Sequence, residues 1–448
     1  MSYAASVMQG RLSGADAAFR GVATDSRAVR AGELFVALEG PNFDGARFVG
    51  QAAERGAAGA VVARGPAAAL PTITVDDTRR ALGRLGKAWR QQMPATVIGL
   101  TGSNGKTTLK EMIASCLSPI AATLATRGNF NNDIGLPLML LSMEREHRYA
   151  VFEMGANHAG EIAYLTSLAM PAIVAITNAA AAHLEGFGSI DGVAHAKGEI
   201  LAGAPRPQCA VLNADDHYFP LWQSMAADLD VISFGYSPAA GVRAADVQTD
   251  SRGSTFRLAL QQETATVRLP LPGSHNVINA CAAAAVARAA GLDTAAIVAG
   301  LEAVRPVGGR LRAHDGVCGA RLYDDSYNAN PSSVIAAAEF LAAQEGASWF
   351  VLGDMGELGS DAAELHRAAG RGLRRAGIDR LFATGPLSRE AVAGFGADAA
   401  WFDDVDALIA AVRGALAKDV NVLVKGSRFM RMERVVAALR DAPADEGT

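Results

Sequence analysis

The stretch VIGLTGSNGKTT, residues 97–108, decides the fold, because it reads as an apolar strand, a glycine-rich turn and the start of a helix. Glycines let backbone N–H groups fold around phosphate oxygens, and the N-terminus of the following helix adds a favourable dipole. The strict pattern G-x-x-x-x-G-K-[ST] fails, since Leu100 stands where its first glycine belongs, so the loop is a shorter T-G-S-N-G-K-T variant. A glycine-rich turn with a merely solvated lysine is the alternative to phosphate binding.

The same loop predicts the roles of its side chains. Lys106 would neutralise the β- and γ-phosphates, and the Thr107 hydroxyl would ligate magnesium. The residues that we expect to contact a nucleotide here are Gly102, Ser103, Asn104, Gly105, Lys106, Thr107 and Thr108.

Polar side chains follow two further predicted strands. The apolar run over Tyr149–Phe152 ends at Glu153, and the run over Ala172–Thr177 leads into a loop that carries His183. A carboxylate at the carboxyl end of a strand lies where a second magnesium ligand is needed. Glu153 as a helix-capping or salt-bridged acid, and His183 as a structural histidine, are the alternatives.

Three later positions are less specific by themselves. Lys197 lies on a predicted helix over residues 190–201, where a solvated lysine is the ordinary interpretation. Ser274 is a candidate N-cap, and Asn276 follows it on the same predicted helix, so helix capping is an alternative to ligand binding there. Asp324 and Asp325 stand at the end of another predicted strand, where they would hydrogen-bond ribose hydroxyls or cap the next helix.

Composition excludes several classes of protein. The chain has 448 residues, of which half are apolar, and 41 Lys+Arg against 46 Asp+Glu leave a formal net charge of −5. This mildly acidic balance argues against nucleic-acid binding, and the apolar content excludes wholesale disorder. The N-terminus has no secretory pattern and no apolar run is long enough for a membrane helix, so we expect a soluble, cytoplasmic protein without stable membrane insertion. The four cysteines lack metal spacing and are expected to be reduced.

The order of predicted elements indicates an α/β protein of three domains. Short strands alternate with helical patterns, which favours parallel sheets covered by helices. A small N-terminal α/β domain would span residues 1–94, a central domain with a P-loop ATPase-type parallel sheet residues 95–310, and a Rossmann-like C-terminal domain residues 311–448. The segment RPVGGR, residues 305–310, has the glycine and proline content of a linker.

Six strings in a fixed order resemble the Mur ligases, a family that shares ancestry with folylpolyglutamate synthetase. Any one of them is weak, but together they cover essentially the whole chain and are highly specific. They are TDSRAVRAGELFVALEGPNFDG (residues 24–45), TRGNFNNDIGLPL (126–138), EMGANHAGEI (153–162), AHLEGFGS (182–189), DDSYNANPSS (324–333) and LGDMGELG (352–359).

The resemblance implies roles for specific residues. It implies that Thr107, Glu153, His183 and Lys197 hold magnesium, with Lys197 as a carbamate, an anion suited to a place beside cations. Lys106, Lys197, His183 and Arg310 would be catalytic, and Asn276, Arg310 and Asp325 would contact the nucleotide. The substrate contacts implied are Thr24, Asp25, Ser26 and Arg27 for a UDP end, Asn131 and Asn132 for a muramoyl-peptide, and Lys425, Gly426, Ser427 and Arg428 for an incoming dipeptide.

The implied reaction is ATP-dependent amide formation through an acyl phosphate, with release of ADP and phosphate. Two Mg²⁺ ions are expected to take part. The strings are most similar to the branch that joins D-alanyl-D-alanine to UDP-N-acetylmuramoyl-tripeptide, the pentapeptide precursor of peptidoglycan being the product. A monomer is expected. A family member that adds a single amino acid is one alternative, although the Asp-Asn-Pro-Arg string of such relatives is absent. A nucleotide-dependent switch without ligase chemistry is the other.

Overall fold

The computed structural model describes residues 1–40, 43–64 and 70–441, so Pro41 and Asn42 of the string over residues 24–45 lie outside the described part. Three α/β units follow one another along the chain, each built on its own sheet. This is the mixed α/β architecture that the alternating sequence pattern predicts.

The N-terminal unit is a five-stranded sheet in the order β1-β7-β6-β3-β2, with a two-stranded ribbon β4-β5 beside it. Residues of β3 alternate between the two faces, because Leu34 and Val36 join one apolar layer and Phe35 joins the other. The strands are β1 (Arg11–Ser13), β2 (Val22–Ala23), β3 (Leu34–Val36), β4 (Glu39–Gly40), β5 (Phe43–Asp44), β6 (Gly59–Val62) and β7 (Thr72–Thr74), and the helices are α1 (Ser2–Met8), α2 (Val49–Glu54) and α3 (Thr78–Arg90).

The central unit is a nine-stranded sheet in the order β16-β15-β14-β13-β12-β11-β8-β10-β9. Its strands are β8 (Thr96–Thr101), β9 (Thr123–Ala125), β10 (Tyr149–Glu153), β11 (Ile173–Ile176), β12 (Cys209–Asn213), β13 (Asp230–Gly235), β14 (Val242–Thr249), β15 (Ser254–Leu260) and β16 (Glu263–Leu269). Its helices are α4 (Lys106–Leu117), α5 (Gly135–Leu141), α6 (Glu161–Ala169), α7 (Leu184–Phe187), α8 (Ile190–Gly198), α9 (Phe219–Met225), α10 (Ser274–Ala289) and α11 (Thr294–Glu302).

Strands β8 to β14 of this sheet pair in parallel, and β14 to β16 continue it as an antiparallel meander. The inner parallel strands β8, β10, β11 and β12 are mainly apolar, which suits strands whose two faces both pack against buried apolar layers. Strand β8 therefore ends between β10 and β11, so the phosphate loop, Glu153 and the His183 loop all leave the same edge. Helix α10 starts one residue earlier than a Ser274 cap would require, because Gly273 is the N-cap and Ser274 is the first helical residue.

The C-terminal unit is a six-stranded sheet in the order β17-β18-β22-β19-β20-β21, parallel except for β17. Its strands are β17 (Arg312–Asp315), β18 (Arg321–Asp325), β19 (Ala347–Gly353), β20 (Arg380–Thr384), β21 (Ala399–Phe402) and β22 (Val420–Lys425). Its helices are α12 (Pro331–Ala342), α13 (Ala362–Ala376), α14 (Ser388–Phe395), α15 (Val405–Ala415) and α16 (Glu433–Leu439). The last residues of β18 and β22, Asp325 and Lys425, are paired in register.

Helix α3 joins the N-terminal unit to the central one. Its Trp89 donates an indole hydrogen bond to the Met143 carbonyl at 2.9 Å, and Arg90 donates to the Ala169 carbonyl at 3.0 Å. Gly86 faces Pro137 of α5, where a Cβ would lie 3.1 Å from the proline Cα. This interface carries the start of α3 to the edge of the central sheet.

Over the described residues, no helix combines the length and the apolar character that crossing a membrane requires.

Candidate active site

A cavity of about 720 Å³ lies where the carboxyl ends of β8 and β10 face the C-terminal unit. All three units line it. The N-terminal unit contributes Asp77, Arg79 and Arg80, which lie at the start of α3. The central unit contributes the phosphate loop, Glu153 and His183. The C-terminal unit contributes Tyr327, Asn330, Glu357, Lys425 and Arg428, and Arg310 lies at the junction between these two units.

The phosphate loop is held in a conformation that two glycines permit. Gly102 has φ +147° and Gly105 has φ +81°, both in the region that disfavours side chains. A Cβ on Gly102 would lie 1.8 Å from the Thr177 hydroxyl oxygen, and one on Gly105 would lie 2.5 Å from Oδ1 of Asn279. The loop therefore passes too close to its neighbours for any larger residue, and α4 begins directly after it at Lys106.

Lys106 folds back over this loop. Its ammonium donates to the carbonyl of Gly102 at 2.6 Å and to that of Ser103 at 3.3 Å. Burial lowers the pKa of Lys106 from its usual value, the Glu153 carboxylate opposes that shift, and Arg310 adds to it. The lysine ammonium is thus held against two backbone carbonyls of the glycine-rich loop.

Thr107 and Glu153 form a small polar centre at the mouth of the loop. The Thr107 hydroxyl donates to Oε2 of buried Glu153 at 2.9 Å, and the Asn131 amide donates to Oε1 at 2.8 Å. A guanidinium nitrogen of Arg310 lies 3.4 Å from the Thr107 oxygen, and the same guanidinium stacks 4.3 Å from the Tyr327 ring centroid. A hydroxyl and a carboxylate are oxygen donors of the kind that Mg²⁺ takes, completed by water and phosphate oxygens, so these residues fit that ion. The described residues contain no group of three or more His, Cys, Asp or Glu side chains arranged to hold a metal.

His183 and Lys197 lie beside this centre in different surroundings. His183 lines the cavity, and its Nδ1 contacts the Glu357 carboxylate of the C-terminal unit, which lowers the pKa of Glu357. Lys197 is buried, with its ammonium 5.3 Å from the Phe187 ring centroid. Burial, with a smaller contribution from the Lys106 charge, lowers the pKa of Lys197 to about 7. A lysine with such a pKa is partly neutral at physiological pH and is a nucleophile.

The ends of β18 and β22 bring the predicted C-terminal residues together. Lys425 donates to Oδ2 of Asp325 at 2.5 Å and to the Asn328 carbonyl at 3.0 Å, so the two side chains form one ion pair at the cavity wall. The hydroxyl of buried Ser427 accepts from the Gly356 amide at 2.8 Å, which makes it a brace between loops. Arg428 lines the cavity and pairs with Glu433 at 3.1 Å.

Other predicted site residues lie elsewhere or are engaged in holding the backbone. The Asn132 side chain caps α5 through the Gly135 amide at 2.8 Å, although Asn132 also lines the cavity. Asn276 is buried and donates to the Pro272 carbonyl at 2.8 Å, away from the cavity lining. In the N-terminal unit, Ser26 bonds to Gln51 at 2.6 Å, and Arg27 is exposed and held by Asp25 at 2.9 Å, both outside this cavity. Their roles stay predictions.

Several residues at the site escaped the sequence analysis. Asn330 donates to Oδ1 of Asn104 at 2.7 Å, and Asn104 donates to the Ser332 hydroxyl at 2.9 Å, which ties the phosphate loop to the start of α12. Asp324, which the sequence does single out together with Asp325, accepts from the Gly309 amide at 3.1 Å and so orders the backbone next to Arg310. The polar turn that follows β18 was the one feature of the sequence that could have suggested these residues. The contacts with Asn104 could not be predicted, because contacts between distant segments leave no local sequence pattern.

Three protein-family models match consecutive parts of the chain. Residues 18–90 match the family described as "Mur ligase family, catalytic domain", residues 100–287 the "Mur ligase middle domain" and residues 309–428 the "Mur ligase, glutamate ligase domain". The UDP-N-acetylmuramoyl-tripeptide–D-alanyl-D-alanine ligase of Escherichia coli K12 is 43% identical over 444 residues, 98% of each chain. The ligase of the same name from Bacillus subtilis is 36% identical over 433 residues, covering 94% of this chain and 93% of the relative.

Solved structures agree with these relatives. A crystal structure of MurF from Acinetobacter baumannii superposes with a TM-score of 0.92 at 38% identity, over 97% of both chains. The MurF ligase of Thermotoga maritima, solved in complex with ADP, gives a TM-score of 0.83 at 27% identity, over 94% of this chain and 96% of that one.

Proposed function

The chain belongs to the Mur ligase family, and from that premise we propose that it joins D-alanyl-D-alanine to UDP-N-acetylmuramoyl-tripeptide at the expense of ATP. It is an ATP-dependent ligase of peptidoglycan synthesis. The observation that carries the proposal is one cavity in which the phosphate loop faces Arg310 and the loops of the C-terminal unit. Because a single chain completes that cavity, a monomer would suffice for activity.

The first chemical step would bring two anions together. An oxygen of the tripeptide carboxylate attacks the γ-phosphorus, the bond from that phosphorus to the bridging oxygen breaks, and ADP leaves with the electron pair. Lys106, held over the loop by two carbonyls, would neutralise the phosphates, and Arg310 would approach the transferred phosphoryl group from the linker. Placed cations of this kind contribute about 10²–10³-fold in rate for each donor.

The second step would form the amide. The dipeptide amine attacks the acyl carbon, the tetrahedral intermediate loses phosphate, and the amine proton passes to solvent or to the departing phosphate. Lys425 and Arg428 stand on the C-terminal wall, where they would face the carboxylate of the incoming dipeptide. Closure of this wall on the central unit would exclude water, which otherwise hydrolyses an acyl phosphate.

Thr107 and Glu153 would hold a magnesium ion, and His183 with a modified Lys197 a second one. A bound magnesium supplies charge neutralisation for the β- and γ-phosphates. For Thr107 and Glu153, the 2.9 Å hydroxyl–carboxylate contact at the mouth of the loop supports the assignment.

We further propose that Lys197 is carbamylated. The neutral amine adds to CO₂ and releases one proton, which converts a cation into a carboxylate-like anion. Two observations support this: the side chain is buried, and its pKa is lowered to about 7. Depleting CO₂ should lower activity, added bicarbonate should restore it, and the K197A variant should not respond.

Phosphate release tests the function. Purified protein is supplied with ATP, Mg²⁺ and UDP-N-acetylmuramoyl-tripeptide, with or without D-alanyl-D-alanine. Released phosphate is quantified, and the mass of the product is measured by mass spectrometry. We expect phosphate release that depends on the dipeptide and a product heavier by the dipeptide residue mass. ATP turnover indifferent to the muramoyl-tripeptide, or equal use of single amino acids, would contradict the proposal.

A further inference from the structure

Two non-glycine residues in the left-handed region meet across the boundary between the central and C-terminal units. His183 has φ 55° and Glu357 has φ 61°, and the His183 Nδ1 contacts the Glu357 carboxylate. Backbone conformations of this kind are unfavourable for residues that carry a side chain, and they persist where surrounding contacts impose them. Their direct contact at a cavity shared by two units points to a purpose beyond packing.

The loop that carries Glu357 is anchored firmly within the C-terminal unit. The amide of Met355 donates to Nε2 of buried His366 at 2.9 Å, and the amide of Gly356 donates to the Ser427 hydroxyl at 2.8 Å. These bonds fix the backbone next to Glu357 relative to the rest of the C-terminal unit.

On the central unit, the residues that contact this loop of the C-terminal unit belong to the short turn around α7. The Glu185 amide donates to the Glu357 carbonyl at 3.3 Å, and a Cβ on Gly359 would lie 3.6 Å from the Glu185 Cα. The Nδ1 of His183 is buried, and it contacts the Glu357 carboxylate without the angular geometry of a hydrogen bond in this structure. Main chain and side chain of Glu357 thus both engage the turn that presents His183 to the cavity.

We propose that Glu357 is a positioning residue that orients His183 when the C-terminal unit closes on the central one. The inference rests on the proposed role of His183 in binding the metal–nucleotide. A carboxylate that accepts from Nδ1–H selects one tautomer of a neutral imidazole and leaves Nε2 unprotonated, with its lone pair available to a ligand. Closure and completion of the site thereby become one event, because the orienting group arrives on the moving unit.

The ring nitrogens of His183 provide the direct test. In protein with ¹⁵N-labelled histidine, long-range ¹H–¹⁵N spectra report the tautomer, and the spectrum of H183N assigns the signal. We expect Nδ1–H in the unaltered protein and a mixture of tautomers in E357Q. The matched control is E185Q, which removes an exposed charge from the same turn and should leave the tautomer unchanged.

A second measurement follows Mn²⁺ binding by electron paramagnetic resonance in the presence of ADP. We expect the Kd for Mn²⁺ to rise about 10-fold in E357Q, the scale for loss of an orienting partner, and to be unchanged in E185Q. An Nε2–H tautomer in the unaltered protein overturns the proposal without any variant. Unchanged tautomer and Mn²⁺ affinity in E357Q overturn it as well. Neither result bears on ligation by the unaltered enzyme, which is assayed separately.

Discussion

Glu153 is a buried carboxylate whose two oxygens accept from Thr107 and Asn131 and whose charge opposes the desolvation of Lys106. The E153Q substitution keeps the volume and removes the charge. We expect the Mg²⁺ concentration for half-maximal phosphate release to rise about 10- to 100-fold. The control is E146Q, an exposed acid before the same strand, for which no change is expected. An unaltered Mg²⁺ requirement in E153Q would exclude Glu153 as a ligand.

The buried His366 side chain should make the free energy of unfolding depend on pH. Its Nε2 accepts from the Met355 amide, and burial lowers its pKa below the usual 6.5. The unfolded chain therefore binds a proton more readily than the folded one, so stability is fully present above pH 6.5 and falls as the pH drops toward the folded pKa. Urea unfolding midpoints between pH 7.5 and 5.5 should fall less steeply in H366Q than in the unaltered protein. Equal slopes would show that His366 does not contribute.

At the scale of elements, α13 and α14 pack closely because each has a glycine that faces the backbone of the other helix. A Cβ on Gly370 would lie 1.9 Å from the Ala391 carbonyl oxygen, and one on Gly394 would lie 2.1 Å from the Arg367 carbonyl oxygen. Because backbone atoms cannot move aside, G370A should cost about 1–3 kcal/mol in the free energy of unfolding. The matched control is G414A on α15, where a Cβ meets nothing within 4 Å and the gain in helix propensity should stabilise by up to about 1 kcal/mol. Equal unfolding midpoints for the two variants would contradict this packing argument.

The elements also show what local sequence can predict. The sequence predicts strands over residues 96–100, 149–152 and 420–425. Strand β22 has the predicted bounds, and β8 and β10 each extend one residue further, since apolar runs covered by helices on both faces are the strongest strand pattern. The prediction named no strand at β12, β13, β14 or β21. It also missed the short strands β1, β2, β4, β5, β9 and β17, and β17 carries mostly polar residues. Such strands form because a neighbouring strand offers hydrogen bonds, a condition that the local sequence does not carry.

At the scale of the whole molecule, Arg310 connects the linker, the phosphate loop and the C-terminal unit. It reaches Thr107 and stacks on Tyr327, and a lysine would supply the charge without the planar group. We expect kcat for phosphate release to fall about 10²-fold in R310K, with little change in thermal unfolding. R312A, an exposed arginine just beyond the linker, should retain full activity. A fully active R310K would show that charge alone suffices.

By itself, the sequence determined the phosphate loop, the order of the three α/β units and the edge of the central sheet where Glu153 and His183 emerge. These follow from glycine, lysine and strand-end positions within short segments, whose conformations are dictated by neighbouring residues. Only the tertiary structure decided that Lys425 pairs with Asp325, that Asn104 binds Asn330, and that Glu357 meets His183. Those contacts join residues 100 or more positions apart, and their formation depends on how the units pack, which no local pattern encodes.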